Sequence, residues 1–307
     1  LKEMVKLQED YECFFFVADW HALTTEYADP KALRQNTEEM IVDWLAAGLD
    51  PQKAVIYRQS DLPEVAELAL YFGFVTPLSW LERNPTYKEQ LREVKGRELA
   101  TYGFIGYPVL QTADILIVRA ELVPVGEDQL PHLELSREIA RRFNYFYGDF
   151  FPEPQAILSK AQRLPGLDGR KMSKSYGNAI NLSDSPEVIK RKVGMMITDP
   201  QRKRKTDPGR PEVCSVFTLH RLYSVEDLGE IAQACRGALR GCVECKIILA
   251  ERIIESLEPF QLRRKEILGE KGYVKALLME GAKRVSPIAQ ETLNEVRKRL
   301  NLHLNGG

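Results

Sequence analysis

Apolar positions in the first half of the chain fall into short runs separated by amphipathic stretches, a pattern that predicts strands alternating with helices. Residues 13–18 form an apolar run rich in aromatics that stops at Asp19, as a buried strand does. A helix is expected over residues 30–49, with Leu33, Met40, Trp44 and Ala47 on one face and Gly48 placed to end it. Residues 54–57 read as the next strand, and 63–72 as a helix with proline in its first turn. Further strands are expected at 115–118 and 122–125, and a further helix at 131–143. This alternation predicts an α/β domain with a mainly parallel sheet. In such sheets ligands collect at the carboxyl ends of the strands, here residues 19–24 and 126–129.

After about residue 180 the strand signal fades and amphipathic helical patterns take over. Ile247, Ile248, Ile253, Ile254 and Leu257 form one apolar stripe, and Leu293, Val296 and Leu300 another. A second, all-helical domain is therefore expected, with Asn305, Gly306 and Gly307 as a frayed tail.

Composition supports this division. A chain of 307 residues with 44% apolar and 28% charged residues has room for about two globular domains. Its longest apolar runs fall short of the roughly 18 to 20 residues that span a bilayer. No signal-peptide pattern is visible at the N-terminus, so a cytoplasmic location with reduced thiols is expected. A net charge of −1 excludes a uniformly basic duplex binder. Yet residues 160–205 carry twelve Lys or Arg against four acids, a local balance of +8. Such a band fits a phosphate-bearing ligand, although Arg202, Lys203, Arg204 and Lys205 fit a solvated loop equally well.

Residues 169–177 read Gly-Arg-Lys-Met-Ser-Lys-Ser-Tyr-Gly. Two ammonium groups among hydroxyls and glycines make a mobile cationic loop able to follow phosphate charge as it develops. On composition alone a Lys/Ser-rich linker would look the same. The string Lys171-Met172-Ser173-Lys174-Ser175, however, is identical to the signature loop of class I aminoacyl-tRNA synthetases. Tyr107-Pro-Val-Leu-Gln-Thr-Ala-Asp114-Ile-Leu, Val123-Pro-Val-Gly-Glu-Asp-Gln129, His132-Leu-Glu-Leu, Ala18-Asp-Trp-His21-Ala-Leu-Thr and the stretch around Lys88 narrow this further. They closely resemble bacterial-type tryptophanyl-tRNA synthetases, and the resemblance runs along nearly the whole chain.

The resemblance implies a Rossmann-like, parallel-sheet catalytic domain over residues 1–170, a mobile cationic loop over 171–178 and an all-helical, anticodon-binding tRNA-recognition domain over 179–307. It implies ATP with Mg²⁺ and L-tryptophan as substrates, tRNA(Trp) as partner, a homodimer and no membrane. Lys171, Lys174 and Ser175 take catalytic positions. Asp114 takes the indole-reading position, which is chemically apt: indole N–H only donates, so a site that tells tryptophan from phenylalanine needs a buried acceptor. Tyr107 and Gln129 match positions that hold the amino group, His21 lies near the amino acid, and Val123 and Val125 offer apolar wall to the ring. Gly126, Glu127 and Asp128 match the nucleotide's ribose site, and Leu164 the backbone position that reads adenine. Met172 and Ser173 join the three catalytic loop residues in binding ATP. Simpler roles exist for some of these residues. Asp114 could cap a turn, His21 could make a structural hydrogen bond, and Glu127 and Asp128 could serve as an acidic first helical turn.

Two features depart from the family pattern. Gln111 stands where many relatives carry Met. The chain also opens with Leu1-Lys-Glu-Met and lacks the first strand and the His-Ile-Gly-His-like element used on ATP phosphates. A further N-terminal piece of roughly twenty residues is expected, without which amino-acid activation is not.

Of the five cysteines, Cys13 reads as a small apolar filler in a buried strand. Cys214, Cys235, Cys242 and Cys245 give C-x20-C-x6-C-x2-C, which in a reducing compartment favours a metal over disulfides. Four thiolates suit structural Zn²⁺ or a four-iron cluster. A subset of tryptophanyl-tRNA synthetases resembles this spacing, which implies a [4Fe-4S] cluster. Tyrosyl-tRNA synthetase, and a non-catalytic tRNA-binding iron-sulfur protein on the same scaffold, are the alternative functions.

Overall fold

The computed structural model describes residues 1–85, 88, 101–158, 164–173 and 176–302. Lys174 and Ser175 of the signature loop, Lys160 and Arg163 of the basic band, and the 305–307 tail lie outside the described residues. The chain divides into two compact units, Leu1–Lys160 with Glu270–Gly307, and Ala161–Gly269.

In chain order, the first unit contains α1 (Lys2–Asp10), β1 (Cys13–Val17), α2 (Asp19–Glu26), α3 (Leu33–Ala46), β2 (Ala54–Arg58), α4 (Glu64–Val75), α5 (Leu78–Glu82), α6 (Tyr102–Ile117), β3 (Leu122–Val125), α7 (Leu130–Tyr147) and β4 (Gln155–Leu158). The second contains α8 (Pro186–Met195), α9 (Ser215–Tyr223), α10 (Leu228–Arg236) and α11 (Cys242–Gly269). The last helix, α12 (Tyr273–Arg299), returns to the first unit.

Among the described residues the strands form two parallel pairs. β1 lies on β2 with Cys13 opposite Ala54, and β3 lies on β4 with Leu122 opposite Gln155. Parallel pairs need crossover helices and tend to be buried, and β2 accordingly has Ala54, Val55, Ile56 and Tyr57 buried. The α/β class with parallel strands is as expected. β1 borders a cavity of about 590 Å³ along Cys13, Phe14, Phe15 and Phe16, and β3 borders it along Leu122, Val123 and Pro124. Side chains of a strand alternate between faces, so these consecutive residues mean that both strands meet the cavity edge-on.

Several elements differ from the sequence reading. Residues 115–118 are not a strand but the end of α6 and its C-terminal cap, Val118; Thr101 caps the other end by accepting from the Phe104 N–H at 3.2 Å. Val109, Ala113, Ile115, Leu116 and Ile117 are all buried. Residues 112–117 are buried on every side of the helix and so show no amphipathic period, and its apolar end looks like a buried strand. On α3 the buried residues are Thr37, Ile41, Val42, Leu45 and Ala46, while Leu33, Met40, Trp44 and Ala47 flank them half-exposed. Gly48, at φ +109°, does end that segment. Cys13 is only half-buried.

Residues 270–307 fall in the first unit rather than in the helical one. Val285, Ala289, Leu293 and Val296 of α12 are buried in the same core as Leu68, Phe72, Leu116, Ile139 and Phe143. The stripe read from Leu293 and Val296 is therefore real, but it faces the α/β core. In the second unit Ile189, Val193, Val216, Leu219, Leu249, Ile253 and Leu257 form a separate helical core. Among the described residues no helix is long and apolar enough to cross a membrane.

Candidate functional site

The first unit gathers polar side chains at the carboxyl ends of β1 and β2, where open parallel sheets place their ligands. α2 starts directly after β1, and a 3-10 turn at Gln59–Asp61 follows β2. Asp19 joins them: its carboxylate accepts from the Trp20 N–H at 3.1 Å, from the Ser60 N–H at 3.0 Å and from the Ser60 hydroxyl. Gln59, fully buried, accepts from the Trp20 N–H at 3.1 Å and donates its amide to both Asp114 oxygens at 2.8 and 2.9 Å.

Asp114 is the most deeply placed acid of the group, at 3% exposure, and His21 Nε2 bonds its Oδ2 at 2.8 Å. Burial pushes the Asp114 carboxyl above the ordinary carboxylate range, and the hydrogen bonds from His21 and Gln59 pull it back. Its residue lines the 590 Å³ cavity together with Phe14, Phe16, Tyr57, Ile115 and Val123. Burial, followed by the field of Asp114, raises the Tyr57 hydroxyl well above its usual value. A buried carboxylate facing apolar and aromatic side chains is suited to accept from a donor-only group such as a ring N–H, while His21, Tyr107, Val125 and Gln129 are not among the residues that line this cavity.

Tyr107 lies two turns before Asp114 on α6, hence on the same face. Its ring approaches His21 edge-on at 6.4 Å and His132 at 5.2 Å, and burial pushes its hydroxyl up to about 12. Val123 and Val125 are half-buried on β3. Gly126 precedes a 3-10 turn over Glu127–Gln129, with Glu127 and Asp128 exposed and the Gln129 amide donating to Asp128 at 3.1 Å. A Cβ on Gly126 would lie 2.7 Å from the Asp128 carboxylate, an exposed side chain that can turn aside.

In the second unit the signature loop springs from an antiparallel bridge between Pro165 and Lys171. The Leu164 carbonyl accepts from the Met172 N–H at 2.8 Å. Lys171 is exposed. Buried Asn178 clamps the base of the loop, donating to Asp168 at 2.7 Å and to the Lys171 carbonyl at 3.2 Å, and accepting from the Ser173 N–H at 2.8 Å. A Cβ on Gly166 would come within 2.4 Å of that amide.

The four cysteines also fall in the second unit. Cys214 precedes α9, Cys235 sits near the end of α10, and Cys242 and Cys245 lie in the first turn of α11. All are free and partly buried. Burial, and then the fields of Cys214, Cys235 and Cys242, push the Cys245 thiol up to about 12. Fully buried His220 bonds Cys245 through its carbonyl at 3.2 Å and its sulfur at 3.4 Å. Arg202 turns inward, donating to Cys235 Sγ at 3.7 Å and to the Arg240 carbonyl at 2.8 Å. Among the described residues no group of three or more His, Cys, Asp or Glu has the geometry to hold a metal ion.

Gln59, Asn84 and Asn178 were not singled out from the sequence, and Asp19 only as the start of the 19–24 segment. Amides are common in loops, and only the position of Gln59 just past the end of β2 could have drawn attention to it.

The profile of the family described as tRNA synthetases class I (W and Y) matches residues 1–258. The chain is 46% identical to the tryptophan--tRNA ligase of Aquifex aeolicus, covering 98% of this chain and 94% of that one. It is 50% identical to the tryptophan--tRNA ligase of Thermotoga maritima, at 98% and 93% coverage. Its structure is similar to that of the tryptophanyl-tRNA synthetase of Campylobacter jejuni complexed with ADP and tryptophan. The TM-score there is 0.89 at 33% identity, covering 98% of this chain and 93% of that one. The chain belongs to the class I tRNA synthetases, in their bacterial-type tryptophanyl branch.

Proposed function

We infer that this chain is an ATP-dependent tryptophan--tRNA ligase. A carboxylate oxygen of L-tryptophan attacks the ATP α-phosphorus, the α–β phosphoanhydride bond breaks, and tryptophanyl-adenylate and pyrophosphate result. A 3′-terminal ribose hydroxyl of tRNA(Trp) then attacks the activated carbonyl, AMP leaves, and the hydroxyl proton is lost to solvent. The observation that carries this reading is the buried Asp114 carboxylate held by His21 and Gln59 at the carboxyl ends of β1 and β2, supported by relatives of the same activity over 98% of the chain. In this reading Asp114 accepts from the indole N–H, and Val123 and Val125 flank the ring. His21 steadies Asp114, while Tyr107 and Gln129 meet the amino group.

ATP, accompanied by Mg²⁺, is met at its ribose by Gly126, Glu127 and Asp128 and at its adenine by the Leu164 backbone. Met172 and Ser173 belong to the ATP-binding loop. Lys171, Lys174 and Ser175 offset charge on the departing pyrophosphate, so their contribution falls on the transition state rather than on binding. Amino-acid-dependent pyrophosphate exchange on the full-length protein tests the reading. Tryptophan should support exchange and tyrosine should not. Exchange with tyrosine would reassign the specificity, and tRNA binding without any exchange would make the protein a non-catalytic binder.

Cys214, Cys235, Cys242 and Cys245 are proposed to hold a [4Fe-4S] cluster, with structural zinc as the alternative. Support comes from the all-thiol donor set and from Arg202, whose Nε is buried without an acceptor while its neighbouring nitrogen points at Cys235. Such a group would tie α9, α10 and α11 together and add local stability. Anaerobically purified protein should be brown with about four irons per chain. Cys242→Ser should bleach it and reduce tRNA charging while sparing pyrophosphate exchange. Colourless protein holding zinc would exclude the cluster and keep the site.

A homodimer is proposed on the exposed apolar side chains Leu70, Phe74, Leu78 and Phe146 of α4, α5 and α7. Sedimentation should report twice the chain mass.

A further inference from the structure

Tyr107 reaches the substrate, in the reading above, through one hydroxyl, and that hydroxyl already has a protein partner. His132, in the first turn of α7 and 2% exposed, places Nε2 at 3.0 Å from Tyr107 Oη. The other ring nitrogen, Nδ1, lies 2.9 Å from the amide nitrogen of Asn84. An amide N–H2 only donates, so Nδ1 must accept, and the ring proton sits on Nε2. His132 Nε2–H is therefore the donor and Tyr107 Oη the acceptor.

A phenol oxygen has one proton and two lone pairs. With one lone pair engaged by His132, Oη faces the substrate with its own proton and one remaining lone pair. The opposite tautomer would take the Tyr107 proton and leave only acceptors. A free amino acid presents an ammonium donor and a carboxylate acceptor side by side, and the first arrangement serves both.

We propose that His132 is a positioning residue that sets the hydrogen-bonding direction of Tyr107, so that this hydroxyl can both accept from the substrate's ammonium group and donate to its carboxylate. The inference rests on Tyr107 contacting tryptophan. Two features keep the ring neutral and hence in this role. Burial lowers the His132 pKa, and the partial positive charge at the start of α7 disfavours a second proton. A charged ring there would also repel the ammonium group.

The test is a double-mutant cycle read as KM for tryptophan and for ATP in pyrophosphate exchange. His132→Leu should raise the tryptophan KM about tenfold and leave the ATP KM unchanged. His132→Gln, whose amide nitrogen falls near the place of Nε2, should restore most of the loss. In the Tyr107→Phe background His132→Leu should cost less than about twofold, because its target hydroxyl is gone. A full tenfold cost in that background, or failure of a folded His132→Gln protein to recover, would reduce His132 to a packing residue and leave the Tyr107 assignment standing. Should Tyr107→Phe itself leave the tryptophan KM unchanged, both the assignment and this inference fall.

Discussion

Gly281→Ala should lower the melting temperature of the first unit by roughly 6 to 12 °C. α12 crosses β2 at this glycine, and a Cβ there would stand 1.8 Å from the Ile56 carbonyl oxygen and 2.6 Å from its carbon. Neither atom can yield cheaply. Ile56 is held in register opposite Phe15, and α12 is anchored by Val285, Ala289, Leu293 and Val296 in the core. Arg284 donates to the Pro51 carbonyl at 2.7 Å, which fixes the helix just beyond the crossing. Overpacking of this kind costs about 3 kcal/mol when backbone must move. Gly73→Ala makes the contrast, since nothing lies within 4 Å of its added carbon and helix propensity alone should stabilise by ~0.5 to 1 kcal/mol. Calorimetry on both variants checks the pair, and a loss of less than about 2 °C for Gly281→Ala would show that α12 can slide on β2.

That crossing also marks where the sequence ceased to be informative. The period of apolar residues located β1, β2, β3, α3, α4 and α7 and the apolar stripes of α11 and α12, but not α1, α2, α5, α8, α9 or α10, which are short. It could not assign α12 to the α/β core, because a stripe such as Leu293 and Val296 states that something covers it and not what. α6 was misread at its end for the opposite reason, residues 112–117 being buried all round. β4 has two half-buried and two exposed residues and carries no alternation worth reading. At the site, Asp114 and Tyr107 were legible through the motif they share. Gln59 and Asn84 were not, since each acts by completing another side chain's hydrogen bonds, and that role exists only once the chain has folded.

Asp114→Asn should cut kcat/KM for tryptophan roughly thirty- to 150-fold, about 2 to 3 kcal/mol of transition-state binding, with the ATP KM unchanged. A carboxylate offers about four lone-pair directions. Gln59 donates to both oxygens and His21 bonds Oδ2, so three are taken and one on Oδ1 remains for an indole N–H. Asparagine keeps a single oxygen. Its amide nitrogen would either face the Gln59 amide, donor against donor, or turn toward the indole N–H with the same result. Lost activity alone would not separate a reader of the indole from a strut of the pocket, so the decisive measurement uses a tryptophan analogue with sulfur in place of the ring N–H. Wild-type protein should discriminate against this analogue by a factor similar to the mutational loss, because a buried acceptor is left unpaired. Asp114→Asn protein should accept both amino acids almost equally. If the variant loses the same factor for tryptophan and for the analogue, Asp114 supports the pocket without reading the N–H, and the basis of tryptophan selection must lie with other residues lining the cavity.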